Sequence, residues 1–150
     1  YDEFLSCCQS NVSDAKYQLL EDLTLSSTEG PLVDEWAKFY GMLTKELNYQ
    51  RSMNLGKSYS SAFDKDGQIA QVVAAALSAK NPLEAEKVLL EYEFEALDSL
   101  VGLHMFDDHV LFGYAIKLKL LERQNCFEDT KGKAEFKSLF DGIQQRVYSL

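Results

Sequence analysis

The run from Asn81 to Phe136 constrains the fold most, because it contains two long amphipathic patterns separated by one short corner. Apolar residues recur every three or four positions on both sides of a corner at His104–Asp107, which is the spacing of helices that bury one face. Asn81 and Pro82 open the first of these helices as an N-cap and a first-turn proline. The sequence therefore predicts an antiparallel pair of long helices and the start of a third.

The remainder of the chain also has helical patterns. Short helices are expected over Asp2–Gln9 and from Ser13 to about Leu23, and a long helix is expected from Pro31 to about Leu55. A further helix is expected over Gln68–Lys80, and a last one over Lys131–Tyr148. We find no convincing strand pattern. We therefore predict an all-α fold, a compact bundle of about five to seven helices including long antiparallel hairpins, in one domain that spans all 150 residues.

The apolar stripes predict which face of each helix enters the core. For the two helices after the corner, the predicted core residues are Val110, Leu111, Tyr114, Leu118 and Leu121, followed by Phe136, Leu139, Phe140, Ile143 and Val147.

Composition excludes several functional classes. The net charge of −9 disfavours nucleic-acid binding, because phosphate contacts require clustered Lys and Arg. The longest uncharged run, Gly67–Ala79, is too short and too polar to span a bilayer, so direct membrane insertion is not expected. The first residue is Tyr1 rather than Met, so we expect a fragment or a processed form that lacks an N-terminal segment. The three cysteines, Cys7, Cys8 and Cys126, are expected to be reduced thiols in a cytoplasm.

The sequence offers weak candidates for chemistry. The stretch Phe63–Ile69 is similar to a calcium loop, but no register supplies both the central Gly and the terminal Glu, so we predict a polar turn before a helix. His104 and His109 are five residues apart and straddle a predicted helix start, which fits neither common helical metal spacing. We therefore expect no catalytic, cofactor-binding or metal-binding residue, and no cofactor.

Some charged residues interrupt apolar stripes. A buried charge must be paired, because its desolvation is costly. We predict a structural ion network among Arg51, Glu86, Lys117 and Arg123, in which Glu86 meets either Arg51 or Arg123 between helices. In the alternative interpretation these long side chains extend outward into solvent.

The order and spacing of several residues resemble a family of uncharacterised bacterial proteins encoded in V-type ATPase operons, catalogued as a domain of unknown function. The resemblance covers most of the chain and is carried by Trp36, by the segments 48–56 and 81–86, and by the residues of a final set: Phe106, Tyr114, Lys117, Leu118, Leu121, Glu122, Arg123, Gly132 and Phe136. Ser52 and Gln124 stand where the family commonly has Ala and Trp.

The resemblance implies a non-catalytic accessory or central-stalk subunit of a bacterial V-type ATPase, analogous to the stalk subunit called C or d. Such a chain would couple or assemble the rotor and the membrane ring. Its partners would be stalk subunits and the membrane ring, and it would be cytoplasmic, peripheral at the inner membrane. Met105 and Phe106 are the candidate partner surface. Two alternatives stay open: a generic helical adaptor, and a metal-dependent helical enzyme that uses His104, His109 and nearby acids.

Overall fold

A computed structural model of the chain describes residues 1–127 and 129–148, with the backbone alone for 129–131. Within these residues the protein is all-α, with seven helices and no strand. The helices, in chain order, are α1 (Asp2–Cys8), α2 (Asp14–Glu21), α3 (Val33–Asn54), α4 (Gly67–Leu77), α5 (Pro82–Val101), α6 (Asp108–Cys126) and α7 (Asp129–Tyr148). None of the described helices is long and apolar enough to cross a membrane. The predicted fold class is confirmed.

Polar side chains begin three of these helices. Asp66 accepts hydrogen bonds from two backbone N–H groups at the start of α4, so the segment that is similar to a calcium loop is a capped turn before a helix, as predicted. Asn81 accepts from Glu84 N at 2.9 Å to begin α5, followed by Pro82. Asp107 accepts from Val110 N at 3.1 Å to begin α6. The caps at Asn81 and Asp107 fix where α5 and α6, the two helices of the hairpin, begin.

The larger part of the core surrounds Trp36 of α3. Its indole is fully buried and donates from Nε1 to Leu25 O at 3.1 Å, which ties the loop after α2 to α3. Tyr40 stacks on this indole at 5.6 Å between ring centroids. Residues of α1, α2, α5 and α6 complete this cluster, including Cys8 and Phe112. The N-terminal helices therefore pack against the α5–α6 hairpin through shared apolar side chains.

A second, smaller cluster lies where α4 packs between α3 and α5. Val73 of α4 is fully buried there beside Leu43 of α3 and Leu89 of α5. Glu46 is also buried at this helix pair, where its Oε1 accepts from Gln50 Nε2 at 2.7 Å. The Nε2 group of Gln50 also donates to Ala70 O at 3.0 Å, so a hydrogen bond joins α3 to α4 beside the apolar cluster.

The predicted core stripe of α6 is wrong in its phase. Tyr114 and Leu121 are 53% and 41% exposed, and Val110, Leu111 and Leu118 are only partly buried. The fully buried side of this helix comprises Phe112, Gly113, Ala115, Ile116 and Leu120. The cause is that α6 is apolar on more than one side, and Gly113 admits the close approach of α5. A Cβ at Gly113 would lie 2.5 Å from Val101 Cγ2, so this face can pack closely against α5 because position 113 has no side chain.

The predicted stripe of α7 is present but is not buried. No extensive helix–helix contact within the described residues involves α7. Its apolar side chains are at least half exposed, namely Phe136, Leu139, Phe140, Ile143 and Val147. The start of α7 approaches the start of α5, where Leu83, Phe127 and Phe136 line an open groove of about 550 Å³. The prediction that this stripe enters the core is therefore wrong for this chain.

Candidate functional site

Three charged side chains meet between α5 and α6. Glu86 and Glu93 stand two helical turns apart on α5, and Arg123 of α6 reaches both. Arg123 Nε lies 2.7 Å from Glu86 Oε1, in ionic contact but without the alignment of a hydrogen bond. Its Nη1 donates to Glu93 Oε1 at 3.1 Å, and its Nη2 contacts Glu93 Oε2. This two-pronged contact fixes the orientation of the guanidinium.

The charge balance of this cluster is negative, since one guanidinium serves two carboxylates. Only 2% of the Glu93 side chain is exposed, and this burial raises the pKa of Glu93. The contacts with Arg123 lower that pKa in part, and the charge of Glu86 raises it again. Burial opposes the charge of Arg123, but Glu93 and then Glu86 raise the pKa of Arg123 above its usual value. The cluster joins two helices, and of its three residues Glu86 also lines an open groove of about 410 Å³ between the start of α5 and the end of α6.

The predicted ion network is only partly assembled. Of the two cations considered for Glu86, Arg123 lies against it, whereas Arg51 is exposed in the last turn of α3. Lys117 forms a separate, solvent-exposed pair with Asp98 at 3.0 Å. The predicted network omits Glu93, because charged and apolar residues alternate around it in the sequence, as on a solvent-exposed face. Its separation of seven from Glu86 was the available signal, since seven residues return a helix to the same side.

The corner between α5 and α6 exposes three apolar side chains. Met105 and Phe106, the candidate partner surface, are 72% and 102% exposed, and Leu103 beside them is 100% exposed. Phe106 also has a positive φ of 55°, an unfavourable conformation for a bulky residue. We call Leu103, Met105 and Phe106 the corner patch. These side chains are not stabilised by burial within the described chain, and the backbone of Phe106 is strained.

The same corner brings together both histidines of the chain. The rings of His104 and His109 are stacked, with centroids 4.3 Å apart and an interplanar angle of 5°. His104 Nδ1 lies 2.6 Å from Asp107 Oδ2, and this hydrogen bond is the main cause that lowers the pKa of Asp107. One possible ligand atom from each of the three residues lies within 4.8 Å of the others. Sequence spacing did not predict this arrangement, because helical spacing rules do not describe a corner.

The exposed cysteines have no comparable surroundings. Cys126 lies at the end of α6 beside the groove, and Cys7 lies on α1, whereas Cys8 is buried in the core. None of the three forms a disulfide within the described residues. Burial is the main cause that raises the pKa of Cys8, which makes its thiol less reactive.

Comparisons with known proteins add no relative: no family model, curated protein or solved structure matches this chain. The resemblance to proteins of V-type ATPase operons therefore stays a prediction.

Proposed function

We propose that this chain is a non-catalytic accessory or central-stalk subunit of a bacterial V-type ATPase, which couples or assembles the rotor and the membrane ring through exposed apolar helical surfaces. ATP hydrolysis and ion movement belong to the complex rather than to this chain. The observation that carries the proposal is the uncovered apolar face of α7.

The apolar face of α7 is large and continuous. Phe136, Phe140, Ile143 and Val147 follow the spacing of three to four residues that places side chains on one side of a helix. Their exposures of 72%, 50%, 55% and 61% leave most of that side uncovered. Contiguous exposed apolar surface on a folded protein is typical of an interaction site. An amphipathic helix of this kind binds by laying its apolar face into a groove of a partner.

The charge of α7 differs from that of the chain. This helix has four basic and three acidic residues, whereas the whole chain has a net charge of −9. By the helical repeat, Lys133 and Lys137 border the apolar face on one side, and Glu135 and Arg146 border it on the other. The partner surface that suits α7 is therefore an apolar groove with acidic residues at the part of its rim that meets Lys137, which we assign to a helical stalk subunit of the ATPase.

The corner patch provides a second contact. Phe106 is fully exposed and is held at positive φ, so its position is unfavourable in the isolated chain. A bulky aromatic residue at the centre of a small apolar patch is typical of residues that dominate binding energy. In our proposal Phe106 and Met105 enter a pocket of a second stalk subunit or of the membrane ring.

Purification of the full-length protein from its native cells, with mass spectrometry of co-purifying chains, tests the proposal. We expect V-type ATPase shaft and ring subunits with the unaltered protein. Ile143→Glu places a charge in the middle of the apolar face and should remove them. Gln145→Glu is the matched control, because Gln145 lies on the opposite side of the same helix and its change should have no effect.

Each result has one meaning for the proposal. Recovery of other proteins without ATPase subunits would replace the assignment with a generic helical adaptor. A stoichiometric dimer in light scattering, abolished by Ile143→Glu, would assign the face to a second copy. Equal recovery of ATPase subunits with Ile143→Glu and Gln145→Glu would show that α7 is not the contact. Phe106→Ala should weaken recovery while the circular dichroism spectrum is unchanged, and undiminished recovery would exclude the corner patch.

A further inference from the structure

We propose that His104, Asp107 and His109 form a binding site for a divalent transition-metal ion of the Zn²⁺ type at the corner between α5 and α6. This inference is independent of the proposed function. It rests on the convergence of the two imidazoles and one carboxylate of this corner, whose possible ligand atoms lie within 4.8 Å of one another.

The backbone of the corner creates the convergence. Gly102 has a φ of 53° and Phe106 a φ of 55°, and His104 N donates to Val101 O at 3.0 Å. This tight reversal brings His104 back over the first turn of α6, where it stacks on His109. Asp107 lies between them in sequence and holds the N-cap of α6 through Oδ1, so its Oδ2 is left for the imidazole of His104.

The three groups suit a specific class of ion. Imidazole nitrogen with one carboxylate oxygen favours Zn²⁺, Co²⁺, Ni²⁺ or Cu²⁺, whereas Ca²⁺ and Mg²⁺ prefer oxygen ligands alone. Bonds of about 2.0–2.1 Å around one ion place tetrahedral ligand atoms roughly 3.3 Å apart. The His104–Asp107 pair, now 2.6 Å apart, must open slightly, and the wider span of the cluster must close.

The required adjustment involves side chains that are accessible. His104 and Asp107 are 43% and 41% exposed, so both can rotate without moving the core. The lone pairs of an imidazole lie in its ring plane, so the stacked rings of His104 and His109 must turn toward each other to share an ion. The ion takes the place of the proton between His104 Nδ1 and Asp107 Oδ2, and that proton is released to solvent. Water completes the coordination, as at an open site.

The consequence for the fold is local. The ion would connect the corner to the first turn of α6, since His104 precedes this helix and His109 lies within it. It would therefore hold the backbone that presents Phe106.

Absorption titration of the untagged full-length protein with Co²⁺, followed by displacement with Zn²⁺, tests the site. Cys7 and Cys126 are exposed thiols and could bind these ions, so the titration uses a Cys7→Ser, Cys126→Ser background. We expect one saturable equivalent with d–d bands and no thiolate charge-transfer band. His104→Gln, His109→Gln and Asp107→Asn should each weaken binding by at least about tenfold.

Asp107→Asn is a sharp probe, because Asn keeps the N-cap while it removes the carboxylate. Asp108→Asn is its matched control: Asp108 is the next residue, pairs with Lys16 and does not belong to the cluster, so binding should be unchanged. Nuclear magnetic resonance of ¹⁵N-labelled imidazoles in the parent protein needs no variant. Both histidines should shift on addition of one equivalent of Zn²⁺. Absence of saturable binding, or equal affinity in the two histidine variants and the parent, would overturn the assignment.

Discussion

Replacing Arg123 by Met should destabilise the protein strongly, because it leaves two carboxylates between α5 and α6 without a cation. Glu93 and Glu86 are 2% and 17% exposed, so water can compensate for little of the lost contact. Removal of one partner from a buried ion pair typically costs about 3–5 kcal/mol. Arg123 is itself 23% exposed, which places the expected cost near the lower end of that range.

Protonation limits this cost. A Glu with an ordinary pKa near 4.3 can be neutralised at pH 7 for about 3.7 kcal/mol, at about 1.36 kcal/mol for each pH unit. Without Arg123, Glu93 would take up a proton rather than remain charged in the interior. At pH 5 the same relation gives about 1 kcal/mol for neutralising the carboxylate, so protonation limits the cost of the substitution to that amount. We therefore expect Arg123→Met to lose about 3 kcal/mol at pH 7 and distinctly less at pH 5.

Urea unfolding at the two pH values measures the effect. Lys117→Met is the matched control, because Lys117 also extends from α6 to an acid of α5 but its pair with Asp98 is exposed. An exposed pair contributes about 0–1 kcal/mol, so this variant should unfold almost as the parent does. The triple variant Glu86→Gln, Glu93→Gln, Arg123→Met should recover most of the stability, since no unpaired charge is left. Equal small losses in Arg123→Met and Lys117→Met would refute the reasoning.

Three further predictions concern single residues. Burial raises the pKa of Glu93, so the folded state binds the carboxyl proton more tightly than the unfolded state does, and the contribution of Glu93 to stability falls as the pH rises above 4.5. The stability of Glu93→Gln relative to the parent should therefore improve from pH 5 to pH 7. A decline over this range would contradict the direction of the pKa shift. Gly113→Ala should lower the free energy of unfolding, measured by thermal unfolding, by about 1–2 kcal/mol, because overpacking against Val101 outweighs the higher helix propensity of Ala. Gly41→Ala is its control: a Cβ there meets nothing within 4 Å, so this variant should be stabilised by up to about 1 kcal/mol. Phe106→Asn should stabilise the isolated chain by about 0.5–1 kcal/mol, because Asn tolerates positive φ and no packing is lost, and a loss of stability would show that Phe106 has an internal role.

Much of the fold could be predicted from local chemistry. The caps at Asn81 and Asp107 and the polar turn at Asp66 are decided by side chains within three residues of the helix start, and all three are present. The phase of α6 could not be predicted in this way. It depends on the closeness of α5 at Gly113, a tertiary contact that the residues of α6 alone do not specify.

The candidate sites, too, could be predicted from the sequence only in part. Arg123 was a candidate because a cation interrupts an apolar stripe, but its main partner Glu93 resembled the solvated acids around it. Burial of Glu93 depends on how α5 is rotated against α6, which sequence periodicity did not resolve. His104 and His109 were separated by a helix start in the sequence analysis, and only the backbone path through Phe106 stacks them.

The apolar face of α7 requires a different explanation from the other stripes. The rest of the described chain buries Trp36, Phe112 and Val73 completely without it, so the two core clusters are closed and offer α7 no place. Yet the period of α7 is as regular as that of the buried helices, with Phe140 and Ile143 on one side and Gln145 on the other. A helix is stabilised mainly by packing of its apolar face rather than by intrinsic propensity. The stripe therefore predicts a contact that the described residues do not provide.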